Sequence, residues 1–229
     1  MKLKKIIAAA VVAVMVTSAA LSASAASFTD ISGHWAEATI INLADKGIVN
    51  GISATEFNPD GTVTRAEFLK MAMEAMDIET VAIRNGECLD AKNTDWYAPY
   101  LQSALDKGLI PDNMIAGFNL DVKRQEDGTI KALYSGAFNG YLPIIREEMA
   151  VIAQYVYQYT RNANTMKSMK AGKDLPFNDA DDISGWAHEA VKLAYAQGFI
   201  DGMGDGTFAP KAAMTRAEAA AIISRMITV

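Results

Sequence analysis

The chain has one cysteine, Cys88, and two histidines, His34 and His188, in 229 residues. A lone cysteine excludes an intramolecular disulfide, so the fold must rest on its core, which a hydrophobic content of 51% allows. Two imidazoles and one thiol give no metal-ligand spacing, and neither a metal site nor a cofactor is expected. The loop "DGMGDGTFAPKA" also fails as a calcium loop, because Met203 and Ala212 stand where carboxylates are needed. G-x-S-x-G and H-E-x-x-H are absent. An acid pair for glycoside hydrolysis could only be drawn from Glu147/Glu148 or Asp181/Asp182, adjacent residues that need not face one site. No catalytic residue is assigned, and an enzyme is not expected. A wall hydrolase is the least favoured alternative. Long apolar runs are also missing beyond the first residues, so no membrane span is expected after them.

Those first residues read as a leader. Lys2, Lys4 and Lys5 precede the apolar "IIAAAVVAVMV", and "SAALSASAA" follows with small residues at Ala23 and Ala25. This is the pattern of a secretory signal peptide over residues 1–25, cleaved near Ala25. Its removal leaves 18 of the 21 basic residues against 27 acidic ones, a net charge of about −9. Such a surface argues against sequence-independent nucleic-acid binding. It leaves room for an anionic ligand held by a few placed arginines.

The rest of the chain is repetitive. Trp35, Trp96 and Trp186 each precede a glycine (Gly47, Gly108, Gly198) by twelve residues. Phe57-Asn-Pro59 matches Phe208-Ala-Pro210, and Trp35 to Arg65 and Trp186 to Arg216 are both thirty residues. Phe-x-Asp opens both copies, at Asp30 and Asp179. The middle copy has Asp90 but puts Cys88 in place of the phenylalanine, and Trp96 reaches Arg146 only after fifty residues. The units are expected at 26–83, 84–162 and 177–229, with a linker over 163–176. An insertion lies about 112–142, where "EDGT" between two short strand-like runs suggests a hairpin. Each unit reads as helix, loop, helix, with a glycine C-cap on the first helix. In the second helix Phe68, Leu69, Ala72 and Met76 form one stripe, and Met71, Met73 and Met76 are read as core. Two short helices cannot bury both stripes alone, so the units should share one core in a mainly α fold.

T-R-A-E opens the second helix twice. Thr64 with Glu67, and Thr215 with Glu218, are capping boxes. Arg65 and Arg216 between them sit at the positive end of a helix, which opposes a cation by about 0.3–1 kcal/mol. One explanation is a surface ion pair with a neighbouring carboxylate. The other is an anion site where guanidinium, helix dipole and unpaired amides converge. The middle copy favours the second, because Ile145 has replaced the capping threonine while Arg146 remains. The tryptophans, each near a loop mouth, either pack on their own glycine turn or offer a platform for a sugar ring, with Asp30, Asp90 and Asp179 accepting from its hydroxyls.

"FTDISGHWAEATIINLADKGIVNG…FNPDGTVTRAEFLKMA" and "FNDADDISGWAHEAVKLAYAQGFIDG…FAPKAAMTRAEAAAII" resemble S-layer homology (SLH) repeats. With the weaker middle copy the resemblance covers 28–229. It implies three repeats about a pseudo-threefold axis, with a central helix bundle and grooves between adjacent repeats. It implies that those grooves bind a secondary cell-wall polysaccharide, often pyruvylated, and anchor exported proteins to Gram-positive walls. Arg65, Arg146 and Arg216 would bind the carboxylate, with Asp30, Asp90, Asp179 and Trp35, Trp96, Trp186 beside them. The middle I-R-E-E departs from the pattern, as does the last copy, which lacks a histidine before its tryptophan. The chain ends one helix after Arg216 with no cargo domain, which leaves open a structural or assembly role through protein–protein contacts.

Overall fold

The computed structural model describes residues 28–83, 87–125, 128–161 and 174–228. The expected leader, most of the expected linker, and Glu126 and Asp127 of the expected turn lie outside these residues. The first helix of each unit is short: α1 Glu37–Asp45, α3 Ala98–Lys107 and α5 Gly185–Ala196. Each is followed by its glycine in the left-handed region, Gly47 at φ 72, Gly108 at φ 65 and Gly198 at φ 76. A side chain would be strained there, which is why glycine recurs at this spacing.

The second helices are α2 Arg65–Ala75, α4 Arg146–Thr160 and α6 Arg216–Met226. Thr64 Oγ1 accepts from Glu67 N at 3.2 Å and Glu67 Oε2 accepts from Thr64 N at 2.8 Å. Thr215 and Glu218 repeat this at 3.2 and 2.9 Å. Ile145 has no acceptor to offer, so the middle box keeps only the glutamate half, Ile145 N to Glu148 Oε2 at 3.4 Å.

The units are interlocked and do not merely sit side by side. Helices α2, α4 and α6 touch one another, while α1 packs on α6, α3 on α2 and α5 on α4. Each first helix therefore covers the second helix of a neighbouring unit. Phe68, Leu69, Met73, Ile152, Val156 and Ile223 are fully buried there, Met71 is buried, and Met76 packs at the margin. Above the helix starts, three backbone bonds close a cycle: Val63 N to Met214 O, Met214 N to Ile144 O and Ile144 N to Val63 O, each 3.0 Å.

The insertion forms the hairpin, β3 Ala116–Arg124 antiparallel to β4 Ile130–Ala137, in register from Asn119↔Ser135 to Arg124↔Ile130. A second, two-residue ladder was not foreseen: β1 Glu87–Cys88 with β2 Ala91–Lys92. It tucks Cys88 into the core, at the place of the missing phenylalanine.

Candidate functional site

The free helix amides expected around the arginines are not free, and this corrects the sequence reading. At N1, Arg65 N donates to Leu142 O (2.9 Å), Arg146 N to Ala212 O (3.0 Å) and Arg216 N to Gly61 O (2.9 Å). At N2, Ala66 N, Glu147 N and Ala217 N donate to Gly140 O, Pro210 O and Pro59 O. Every acceptor belongs to another unit. The loop carbonyls of one unit thus cap the helix of its neighbour.

The arginine side chains follow the same cycle. Arg216 Nε donates to Phe57 O (2.9 Å), Nη2 to Asn50 O (2.7 Å) and Nη1 to Glu67 Oε1 (3.2 Å). Arg146 makes the same three bonds to Phe208 O (2.7 Å), Asp201 O (3.0 Å) and Glu218 Oε1 (3.4 Å). Arg65 bonds Phe138 O, Met114 O and Glu148 Oε1. Each guanidinium also lies over the neighbour's phenylalanine, Phe138, Phe208 or Phe57, at 4.8, 5.2 and 4.6 Å from the ring centre. Burial pushes the guanidinium pKa of Arg146 and Arg216 down. The nearby Glu218 and Asp179, and Glu67 and Asp30, oppose that shift. The glutamate of T-R-A-E therefore serves twice, one oxygen on its own helix cap and the other on a neighbour's arginine.

Asp30, Asp90 and Asp179 have a task within the fold. Asp30 accepts from Phe57 N and Asn58 N at 2.9 and 2.6 Å, Asp90 from Phe138 N and Asn139 N, and Asp179 from Phe208 N and Ala209 N. They hold Asn58, Asn139 and Ala209 in the left-handed region, at φ 59, 55 and 56, and so set the turn whose carbonyl meets the arginine. Burial acts to raise the Asp30 pKa, but the amides of Phe57, Asn58 and Asp30 itself, with the Arg216 charge, together outweigh it and the carboxyl is held low. Phe138 is the middle counterpart of Phe57 and Phe208. The sequence carried that signal, since each precedes its arginine by eight residues.

Among the described residues, grooves where units meet are each floored by one arginine and its glutamate. In the first, Arg216 and Glu67 are joined by Asn50, Gly51, Ile52, Lys70 and Trp96. In the second, Arg146 and Glu218 are joined by Trp35, Gly202, Met203 and Arg225. Trp35 is 66% and Trp96 45% exposed, and the aliphatic residue in each groove, Met203 or Ile52, is exposed as well. The third groove has Arg65 and Glu148 with Asn113, Ala116, Asn139 and Leu142. Trp186 is not among its lining residues and is half-buried against the core. The structure thus brings Arg216 together with Trp96, and Arg146 with Trp35, each pair from different units. Lys70, Arg225 and Ile52 escaped the sequence reading because nothing local marks them, and Met203 and Glu148 were weighed there only for a calcium loop and an acid pair.

The S-layer homology domain profile matches residues 27–69 and 176–220. Exoglucanase XynX of Acetivibrio thermocellus is 38% identical over 196 residues, 86% of this chain but 16% of that protein. The Surface-layer 125 kDa protein of Lysinibacillus sphaericus is 25% identical over 98% of this chain and 17% of its own length. S-layer protein sap of Bacillus anthracis is 27% identical over 97% of this chain and 24% of its own. The chain thus spans less than a quarter of each of these three relatives.

Proposed function

We propose, for a chain that carries S-layer homology domains at residues 27–69 and 176–220, that it is a non-catalytic module holding an acidic secondary cell-wall polysaccharide in its inter-unit grooves. S-layer homology domains are cell-wall anchoring modules, and the S-layer relatives make this a secreted protein of the cell surface. Among the described residues no helix is long and apolar enough to cross a membrane. On this reading the middle unit is a third, divergent S-layer homology repeat. The closed cycle of backbone bonds supports an arrangement of the three about a pseudo-threefold axis.

The observation that carries the ligand is an exposed tryptophan facing an arginine–glutamate floor in two grooves. A ring face suits the apolar side of a sugar. Arg216 and Arg146 meet their glutamates at 3.2 and 3.4 Å, longer than a charge-assisted bond of about 2.7–2.9 Å. A ligand carboxylate, such as a pyruvate ketal, can share each guanidinium. In this reading the aspartates shape the groove rim without touching the sugar.

The test is sedimentation with purified cell-wall sacculi before and after the wall polymer is stripped. The arginines are poor probes, since they also hold the fold, so the tryptophans are used. Trp35→Ala and Trp96→Ala are each expected to weaken binding about five- to tenfold, and Trp186→Ala much less. Equal sedimentation with stripped and intact sacculi would overturn the proposal, and removal of pyruvate ketals tests the acidic group.

A further inference from the structure

The hairpin β3–β4 has no part in the grooves beyond Ala116 at its base, and it is poorly covered. Every residue of β3 except Phe118 is exposed, including Leu120 and Val122. Besides β4, its substantial neighbour among the described residues is the short turn Asp112–Met114. Alternation puts Phe118, Leu120 and Val122 on one face with Tyr134, which faces Leu120 across the ladder. Asn119, Asp121 and Lys123 take the other. A two-stranded ribbon is marginally stable alone, and among the described residues no strand pairs with the outer edge of β3.

We propose that this edge pairs with β3 of a second copy of the chain, antiparallel about a twofold axis at Val122, to give a four-stranded sheet across the dimer. The charges select both the partner and the register. Asp121 and Lys123, half-exposed and 3.1 Å apart, flank Val122 symmetrically. With Val122 on the axis, each Asp121 faces the other copy's Lys123. Leu120 then meets the aliphatic stem of Arg124, and Asn119 meets Gln125. A register centred on Asp121 or on Lys123 would place like charges face to face, which antiparallel pairs disfavour. The ribbon is thus complementary to itself in one register. Its nine residues give an edge of about 30 Å, which fits a weak, concentration-dependent dimer at the small end of specific interfaces.

Sedimentation-velocity ultracentrifugation of the mature chain over a wide concentration range tests this. A reversible dimer is expected for the wild type. Asp121→Lys alone and Lys123→Asp alone should each weaken it about tenfold or more, because two facing pairs become like-charged. An equimolar mixture of the two variants should dimerise again, since each then faces its opposite. Thermal melts matching the wild type show that the core is intact in both. A wild type that stays monomeric throughout overturns the proposal, and so does a mixture that associates no better than the separate variants. Binding of the wild type to anionic vesicles in place of self-association would identify a membrane surface as the true occupant and overturn it too. Sacculus binding by the variants reports on the grooves separately.

Discussion

At the scale of single residues, an arginine at N1 is costly only if its helix is considered by itself. Within the cycle, Arg216 satisfies two backbone carbonyls, a carboxylate and a ring face of another unit. Arg216→Ala would strand Phe57 O, Asn50 O and Glu67. It should cost roughly 2–3 kcal/mol in urea denaturation, less than the roughly 3–5 kcal/mol of a fully buried pair because Glu67 is a third exposed. Arg216→Lys should recover little, since an ammonium cannot serve three directions at fixed angles. A loss below about 1 kcal/mol for the alanine variant would remove the clasp from the account. Asp30 makes a pH-dependent counterpart. Its folded pKa lies below the ordinary 3.8, so its contribution is complete above that pH and is lost as the pH falls through the folded value. Asp30→Asn should therefore lower Tm at neutral pH and flatten the acid limb below about pH 4. An acid limb as steep as that of the wild type would mean that other carboxylates govern it.

Among the elements, the middle unit shows how one change forces another. Tyr97 stands where the flanking units have Ala36 and Ala187, and it is 2% exposed. Gly140 stands where they have Pro59 and Pro210. A Cβ on Gly140 would come within 2.7 Å of the Tyr97 ring, so the large residue needs the small one. Gly140→Ala should cost about 1–3 kcal/mol by overpacking, and Tyr97→Ala in the same chain should remove most of that penalty. Additive losses in the double mutant would sink the pairing. Burial, with Asp90 and Asp95 adding to it, pushes the Tyr97 hydroxyl up to about 12. Its stabilisation is then complete below pH 10 and lost towards pH 12, which an absorbance titration can follow. This scale was also the most legible in the sequence. Capping boxes, glycine stops and the hairpin depend on residues a few positions apart, and each was readable as local chemistry. The clasp was not, because Arg65 meets Phe138 across 73 residues and Arg216 meets Phe57 across 159. Glu67 looked fully explained by its cap, which occupies one oxygen and hides the job of the other.

For the whole molecule, closure changes what a repeat means. In an open array the end units have one neighbour and fray first. Here each unit gives an arginine and two helix amides to one neighbour and receives the same from another, so no unit is an end. The chain should then unfold in one transition, and damage in one unit should be felt equally in the others. Ile223, fully buried in α6, provides the test. Ile223→Val removes one methyl group and should cost about 1 kcal/mol, or about fivefold in the unfolding equilibrium. Hydrogen exchange of the three cycle amides, Val63, Ile144 and Met214, should accelerate by that same factor. The first two lie in units other than the one that carries the substitution. If only Met214 and its own unit respond, the last unit opens independently and the cycle is a row of separate contacts. If all three respond alike, the bond from Met214 to Ile144 and the bond from Val63 to Met214 break in the same event. The grooves, each built from more than one unit, would then exist only in the closed whole, and no single unit of this chain should retain measurable affinity for the wall polymer.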